Sequence, residues 1–345
     1  MDKRPFRIAG GGLAGLSAAI TLASAGWPVE LYEKGPACGA RRPADFEGLE
    51  TWIFDDDPLD YLVRHGLPAS FSTWPVDSFH YIDPAGALHR AEAQRPFFYL
   101  VQRGAGAGCI DRAFQDRALE AGVQFHFGQS RQPGEVDIYA GGPRRAGAYV
   151  QGITFNTAAA DGVYLILGQA TARAGYAYGI IWNGAGTLAT AFKPGRGKHP
   201  PAMDILTDQF EKATGAGLNA VRSFASFGNY ARRPELVRDG ALLAGEAAGW
   251  QDALFGFGMN FAVRSGVLAA RALAEKDNYS ALCRVELTGR MSASWASRRL
   301  YETLGDRAMA RIAGGLIRRQ MVWQALRAAA QPSLLKRLRL FWRLA

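Results

Sequence analysis

The sequence RIAGGGLAGLSAAI at residues 7–20 places glycines between a short apolar run and an Ala- and Leu-rich run. Its Gly10, Gly12 and Gly15 have the GxGxxG spacing of a strand–turn–helix that binds a dinucleotide. Gly10 would permit the tight turn, Gly12 the close approach of a pyrophosphate, and Gly15 the close packing of helix on strand. The free N–H groups at the start of the helix favour a phosphate there. The stretch therefore predicts a dinucleotide-binding fold that begins with a strand at residues 6–9.

An acidic residue follows at the distance this fold requires. The predicted second strand, residues 29–32, leads into Glu33, which stands 18 residues after Gly15. A carboxylate here can accept hydrogen bonds from a ribose 2′-hydroxyl and would repel a 2′-phosphate. The spacing therefore favours FAD or NAD over NADP.

A second glycine-rich stretch, LLAGEAAGWQDALFGFGMNFAVRSG at residues 242–266, is typical of a later strand–turn–helix that returns to the same cofactor. Gly256 and Gly258 would let the backbone approach a flavin ring. A helix that begins near Met259 would bring its positive dipole end to the ring's N1 and O2 edge. The two stretches together predict one bound FAD.

Between these stretches, predicted strands and a helix alternate. Strands are predicted at residues 97–102, 123–127 and 136–142 and a helix at residues 109–121, an order that indicates a mainly parallel sheet.

Two other segments, residues 78–88 and 150–192, have the turn and β-branched patterns of antiparallel sheet. Within the second segment, Tyr176, Tyr178, Ile180 and Trp182 alternate with a period of two and are predicted to line a substrate cavity.

The predicted fold class is α/β, with α+β character because part of the sheet is antiparallel. It comprises a Rossmann-like FAD-binding domain, an inserted antiparallel-sheet substrate domain and a C-terminal helical region. The FAD-binding domain is predicted to comprise residues 1–75, 96–145 and 221–280. The substrate domain is predicted at residues 76–95 and 146–220, and the basic helical region at residues 281–345.

Composition limits the classes of protein. The 345 residues are 48% hydrophobic, and no uncharged apolar run reaches the roughly 18 residues of a membrane span. Cys38, Cys109 and Cys283 lack metal-ligand spacing, so no metal is expected and a cytoplasmic location is predicted.

The whole net charge of +9 lies in residues 298–345, which hold 11 Arg or Lys and 2 acids. The end, LLKRLRLFWRLA from Leu334, has the composition of a basic amphipathic helix. Such a helix would pack on the body of the protein or contact the inner face of a membrane. Nothing else in the chain indicates a nucleic-acid partner.

With these motifs in view, the chain resembles the geranylgeranyl reductase group of flavoproteins, within the p-hydroxybenzoate hydroxylase-like fold. The resemblance covers residues 6–275 and depends on GGGLAGLSAA with Glu33, on Cys38-Gly39, on Arg103 and on the GEAAG…SG segment. It implies that Glu246 contacts the ribityl chain or pyrophosphate of FAD and that Cys38 lies near the flavin. It makes Cys38 the candidate catalytic residue, against the alternative of a packed thiol.

Three departures from the family pattern bear on function. Glu246 stands where Asp is more usual, AGG at residues 140–142 lacks the acid of the usual ADG, and GYAYGIIWN at residues 175–183 replaces a Trp and a Phe-Pro-Lys run. The missing acid weakens the hydroxylase interpretation, and the third departure means that a prenyl substrate does not follow from the resemblance.

These arguments give a set of predicted site residues. Cofactor binding is predicted for Gly10, Gly12, Leu13, Ala14, Gly15, Glu33, Lys34, Arg41, Arg103, Gly245, Glu246, Gly256, Gly258, Met259 and Asn260. Substrate-cavity positions are predicted for Tyr176, Tyr178, Trp182, Phe255 and Phe257.

Three hypotheses of function follow. The first is an FAD-dependent oxidoreductase that acts on a hydrophobic small molecule, with reduction of an isoprenoid or lipid C=C bond as its reaction. Its reductant would be a transiently bound NAD(P)H or an external donor protein. The second is an FAD-dependent monooxygenase of an aromatic or lipophilic substrate. The third is a non-catalytic flavoprotein that docks a partner through its basic tail. No nucleophile elbow with its serine is present, which argues against a hydrolase.

Overall fold

The computed structural model describes residues 4–42, 44–143, 145–168, 171–172, 175–193, 203–333 and 336, and within them the chain forms three sheets flanked by helices. The strands are β1 (Phe6–Ala9), β2 (Val29–Glu33), β3 (Phe46–Glu50), β4 (Thr73–Val76), β5 (Ser78–Ile82), β6 (Leu88–Glu92), β7 (Phe98–Gln102), β8 (Gln124–Phe127), β9 (Ile138–Tyr139), β10 (Ala148–Asn156), β11 (Gly162–Ile166), β12 (Tyr176–Trp182), β13 (Ala185–Phe192), β14 (Asn219–Gly228), β15 (Val237–Arg238) and β16 (Ala241–Leu243). The helices are α1 (Leu13–Ser24), α2 (Pro58–Arg64), α3 (Ile110–Glu120), α4 (Met203–Thr214), α5 (Met259–Ala274), α6 (Tyr279–Cys283), α7 (Gly289–Glu302), α8 (Asp306–Arg318) and α9 (Val322–Ala330).

The first sheet is the predicted nucleotide-binding sheet. Its strand order is β15-β16-β9-β1-β2-β8. The pairs from β16 to β8 are parallel, and the edge pair β15-β16 is antiparallel. The predicted strands at residues 123–127 and 136–142 lie here as β8 and β9.

One predicted strand lies elsewhere. Residues 97–102 form β7, which is the centre of a separate three-stranded antiparallel sheet with β3 and β4. The sequence pattern predicted this strand correctly but assigned it to the wrong sheet. A short buried apolar run has the same pattern whichever partner it pairs with.

Helix α1 packs on the first sheet and against α3 and α5. The core at this junction contains Ile8, Leu16 and Leu31, each fully buried. The helices approach closely because small residues face each other: a Cβ added to Gly266 of α5 would lie 2.1 Å from the carbonyl oxygen of Ala14. This contact sets the middle of α5 close against the start of α1.

The second sheet is antiparallel apart from the pair β5-β11, and has the order β14-β10-β13-β12-β11-β5-β6. Helix α4 covers it with the buried side chains of Leu206 and Phe210. A Cβ at Gly179 of β12 would lie 2.3 Å from the Phe210 ring, so this glycine makes room for the helix. The predicted antiparallel segments, 78–88 and 150–192, both lie in this sheet.

The second sheet continues beyond its predicted end. Strand β14 pairs with β10 as far as Gly228, although residues from 221 were predicted to lie in the FAD-binding domain. Most residues of β14 are exposed, Val221 and Phe227 among them, and its sequence carried no signal of the sheet to which it belongs.

Helices α6 to α9 follow α5, as the predicted C-terminal helical region requires. The basic segment from Leu334 lies outside the described residues, apart from Lys336. In the described part of the chain, no helix is long and apolar enough to cross a membrane.

Candidate cofactor and substrate site

A cavity of about 1340 Å³ lies where the first sheet, the second sheet and the C-terminal helices meet. The two glycine-rich stretches line one end, and α8 and α9 line another. Of the predicted site residues, the following line the cavity: Gly10, Gly12, Leu13, Ala14, Glu33, Lys34, Arg41, Arg103, Gly245, Glu246, Gly256, Gly258, Met259, Tyr176, Tyr178, Phe255 and Phe257.

We call residues 10–15 together with Glu33 the dinucleotide cradle. Gly10 has a φ of +101°, and a Cβ there would lie 2.2 Å from the Ala140 carbonyl oxygen. A Cβ at Gly15 would lie 1.9 Å from the carbonyl oxygen of Gly10. Gly12, which caps α1, has open space where a Cβ would be. The first and third glycines therefore close the turn and seat the helix, while the second leaves its backbone open to a ligand.

Glu33 stabilises the cradle from the side. One carboxylate oxygen accepts a hydrogen bond from the Gly11 N–H at 2.7 Å, and the other accepts from the Gly35 N–H at 2.6 Å. These bonds fix the carboxylate at the carboxyl end of β2, facing the cavity. Each oxygen retains acceptor capacity for a ribose hydroxyl.

The second glycine-rich stretch reaches the same cavity. Gly245, with a φ of +60°, follows β16, and its N–H donates to Ser265 Oγ at 2.8 Å. Helix α5 begins at Met259, as predicted, with Gly258 at its N-cap. The N-termini of α1 and α5 thus both open onto the cavity, where their dipoles favour an anionic ligand.

Residues 251–258 form a loop that is fixed by hydrogen bonds within the loop and by hydrogen bonds to α7. The Gln251 side-chain amide donates to the Gly256 carbonyl at 2.9 Å, and Asp252 accepts from the Phe255 N–H at 2.6 Å. Gly256 has a φ of +74°, which favours glycine. Ser294 of α7 accepts from the Ala253 N–H at 2.6 Å and donates to Asp252 Oδ1 at 2.5 Å. The C-terminal helices therefore position the loop predicted to contact a flavin.

Arg103 lies in the cavity wall within a buried ionic cluster. It donates twice to Asp111 at 2.8 Å and once to Glu47 at 2.5 Å. Arg42 adds a contact to Glu47 at 3.0 Å. Coulombic attraction from Asp111 and then Glu47 outweighs burial and raises the pKa of the Arg103 guanidinium. Asp111 and Glu47 accept three of the five N–H donors of Arg103 and balance its charge, so Arg103 mainly orders the wall of the cavity.

Burial raises the pKa of the Glu246 carboxyl, a shift that Arg42 opposes and Glu47 reinforces. The Glu246 carbonyl accepts from the Asn229 side chain at 2.9 Å. Glu246 thus lies on the cavity surface near the ionic cluster, and its contact with a ribityl chain stays a prediction.

Four predicted residues do not line the cavity. Gly15 acts through helix packing. Asn260 is turned away and donates to the backbone oxygen and carboxylate of Glu50 at 2.9 and 3.0 Å. Trp182 packs against Phe46 and Trp74, with ring centroids 5.5 and 6.3 Å away.

Cys38 is the fourth. It is fully buried, and burial followed by the charge of Glu33 raises the pKa of its thiol well above the usual range. A thiol in this environment stays protonated and is a poor nucleophile. The placement favours the packing alternative over the catalytic one.

The apolar end of the cavity combines aromatic and aliphatic walls. The Tyr176 hydroxyl donates to the Phe255 carbonyl, and the Tyr301 hydroxyl donates to the Gly175 carbonyl. The Phe257 ring contacts Trp52 edge to face, with centroids 4.9 Å apart. We call α8 and α9 the C-terminal wall; its residues on the cavity include Met309, Ile312, Leu316, Ile317, Val322 and Leu326.

Sequence reasoning did not assign these wall residues to the site, nor Asp45 and Glu47. The amphipathic pattern of residues 306–318 was an available signal for a wall helix. No signal in the sequence shows that the apolar face of this helix covers the cavity. In the described part of the chain, no group of His, Cys, Asp and Glu side chains is arranged to hold a metal ion.

Comparisons with known proteins agree with this architecture. Residues 8–66 match the family model of the NAD(P)-binding Rossmann-like domain. No curated protein matches the chain. A geranylgeranyl bacteriochlorophyll reductase-like protein from Thermoplasma acidophilum has a similar structure, with 16% identity, a TM-score of 0.72, and coverage of 98% of this chain and 99% of that one.

Two further structures share the fold. A p-nitrophenol 4-monooxygenase from Pseudomonas putida has 13% identity, a TM-score of 0.65 and coverage of 99% of both chains. A flavin-dependent brominase has 16% identity, a TM-score of 0.62 and coverage of 94% of both chains. The chain therefore has the fold of these three proteins, one of them flavin-dependent, which confirms the predicted fold class.

Proposed function

We propose that the protein is an FAD-dependent oxidoreductase that acts on a hydrophobic small molecule and reduces a C=C bond of an isoprenoid or lipid. The observation that carries this proposal is the single cavity in which a dinucleotide cradle at one end meets an aromatic and aliphatic chamber at the other. Such a cavity can hold a cofactor and an apolar substrate side by side.

The cradle fits FAD on the chemistry of its donors. The open backbone at Gly12 and the N-terminus of α1 would hold the pyrophosphate, and Glu33 would hold the ribose. Glu246 would contact the ribityl chain, and residues 256–259 the isoalloxazine. FAD, when bound, supplies hydride transfer, while the protein orients the reacting atoms and excludes water.

The substrate end fits an apolar molecule. Its walls come from Tyr176 and Tyr178 on β12, from Phe255 and Phe257 in the loop, and from α8 and α9. Burial raises the pKa of the Tyr178 hydroxyl well above its usual value, so this hydroxyl stays neutral and can donate a hydrogen bond. A chain-like apolar substrate with one polar group suits such a chamber.

We further propose a cytoplasmic enzyme whose basic C-terminal region contacts an anionic membrane surface. Helix α8 turns apolar residues to the cavity and leaves Arg307, Arg311 and Arg318 exposed. Each arginine near an anionic surface contributes about 1 kcal/mol to membrane binding. This arrangement would deliver a lipid from the membrane to the chamber. The reductant would be NAD(P)H or an external donor protein.

The second candidate, an FAD-dependent monooxygenase, is favoured by one observation. Tyr176 and Tyr178 lie side by side on the cavity wall, with ring centroids 5.9 Å apart, and such a wall suits an aromatic ligand. The same fold occurs in a monooxygenase, which makes the chemistry accessible to this architecture.

The test begins with protein reconstituted with FAD and titrated anaerobically with NADH and NADPH, followed by air. We expect a bound flavin spectrum, slow bleaching by either nicotinamide and ready reduction by a low-potential donor. Fast bleaching by a nicotinamide followed by oxygen consumption coupled to hydroxylation would select the monooxygenase. Absence of bound FAD would overturn both, and a bound flavin that no donor reduces would leave a non-catalytic flavoprotein.

A further inference from the structure

Asp45 is a buried carboxyl on the cavity wall with an oxygen that has no partner. Its relative exposure is 5%, and it lies immediately before β3 in the cavity lining. Its Oδ1 atom is buried and accepts no hydrogen bond from any described residue. Its backbone is fixed, because the Asp45 carbonyl accepts from the Arg103 N–H at 3.0 Å. A rigidly held carboxyl with unused hydrogen-bonding capacity is available to a ligand.

Glu47, two residues along the chain, is the opposite case. Arg42 and Arg103 contact its two carboxylate oxygens at 3.0 and 2.5 Å. Their charges outweigh burial and lower the pKa of Glu47, so it remains ionised. Burial, followed by the negative charge of Glu47, raises the pKa of Asp45 to about 6. Neighbouring carboxyls with pKa values pushed apart are the arrangement from which acid and base roles arise.

The groups that face Asp45 come from several elements. Glu47, Arg42 and Arg103 are close enough for their charges to act on the Asp45 carboxyl. Tyr178 of β12 faces it from the substrate side, close enough for the two to interact electrostatically. Asp45 therefore lines the cavity and interacts electrostatically both with the ionic cluster and with Tyr178 of the aromatic wall.

We propose that Asp45 is the proton donor of the reduction, a catalytic residue that acts beside the reacting end of the cofactor. This inference rests on the proposed function. Reduction of a C=C bond adds a hydride, with its electron pair, to one carbon and a proton to the other. The hydride originates from a dihydronicotinamide and reaches the substrate through the flavin. The π electrons form the bond to the proton that leaves Asp45, and the Asp45 carboxylate regains a proton from solvent.

The test uses the FAD-loaded full chain and measures the flavin reduction potential as a function of pH. Reduction places negative charge near Asp45 and raises its proton affinity. Wild-type protein is expected to take up one additional proton per two electrons in a pH range that begins near 6. Asp45→Asn is expected to lose this steeper region, whereas the exposed control Asp116→Asn keeps it.

Asp45→Glu separates loss of the carboxyl from loss of folding. It keeps a titratable group and is expected to retain a steeper region at a shifted pH. A steeper region that persists in Asp45→Asn, or that is missing from wild-type protein with bound FAD, overturns the role of Asp45 and leaves the proposed function standing. Failure of wild-type protein to bind FAD overturns the proposed function itself.

Discussion

The dinucleotide cradle and the C-terminal wall line the same cavity but are built on different contacts. In the cradle, backbone packs on backbone: glycines bring β1, α1 and α5 within distances that admit no side chain. In the C-terminal wall, α8 has no fully buried residue, and it faces the cavity with flexible aliphatic side chains. Close backbone packing allows one geometry, whereas loosely packed side chains can adjust. The difference indicates a rigid site for an invariant cofactor and an adaptable site for the substrate.

The largest expected effect is the difference between substitutions at Gly15 and at Gly12 of the cradle. Gly15→Ala places a Cβ 1.9 Å from the Gly10 carbonyl oxygen, so it should lower both stability, by about 1–3 kcal/mol, and FAD affinity. Gly12→Ala meets only open space and should leave stability unchanged while it weakens FAD binding at least tenfold. Thermal unfolding and flavin fluorescence measure the two effects. Equal loss of stability in both variants would contradict the assignment of separate roles.

The second prediction concerns pH and the contact between α5 and β3. Burial raises the pKa of Glu50 to about 8, from 4.5 in the unfolded chain. The stability due to its proton is fully present below pH 4.5 and is lost as the pH rises through about 8. Glu50→Gln should therefore be more stable than wild type at pH 8, by on the order of a few kcal/mol, and nearly equal at pH 5. Thermal melts across this range test it, with exposed Glu92→Gln as the control.

The third prediction tests whether the C-terminal region holds the 251–258 loop. Ser294→Ala removes the acceptor for the Ala253 N–H and the donor to buried Asp252. Leaving these groups unpaired should cost about 1–3 kcal/mol of stability and weaken FAD binding several-fold. Ser292→Ala, in which only a bond to the Thr288 carbonyl one turn earlier is lost, is the matched control. If both variants bind FAD alike, α7 does not position the loop.

The smallest expected effect concerns membrane binding, which should depend on the exposed surface of α8 and not on that of α3. Arg311→Gln on α8 should reduce binding to anionic vesicles about fivefold, which corresponds to about 1 kcal/mol. Arg112→Gln, on α3, which packs against α1, should leave vesicle binding unchanged. Sedimentation with vesicles of phosphatidylserine and phosphatidylcholine measures both, and FAD affinity should remain the same in the two variants. Equal vesicle binding by the wild type and Arg311→Gln would show that α8 does not face the membrane.

Prediction from the sequence succeeded where the feature depends only on residues close together in the chain. The GxGxxG turn, Glu33 and the start of α5 at Met259 are all where the spacing places them. It carried no information where the contacts of a side chain depend on a distant partner. Asn260 follows the predicted helix start, yet its side chain serves Glu50, which lies 210 residues away in the chain. Cys38 follows a family motif, yet its thiol is buried away from the cavity.

By itself, the sequence determined the strand–turn–helix at each end of the cofactor site, because glycine spacing and helix starts act through backbone geometry over a few residues. Tertiary structure alone decided that α8 and α9 close the apolar chamber. It also decided that Arg42 and Arg103 hold Glu47 ionised beside a protonatable Asp45. An amphipathic helix can bury its face on any apolar surface, and the pKa of a carboxyl depends on charges that only the folded chain brings near.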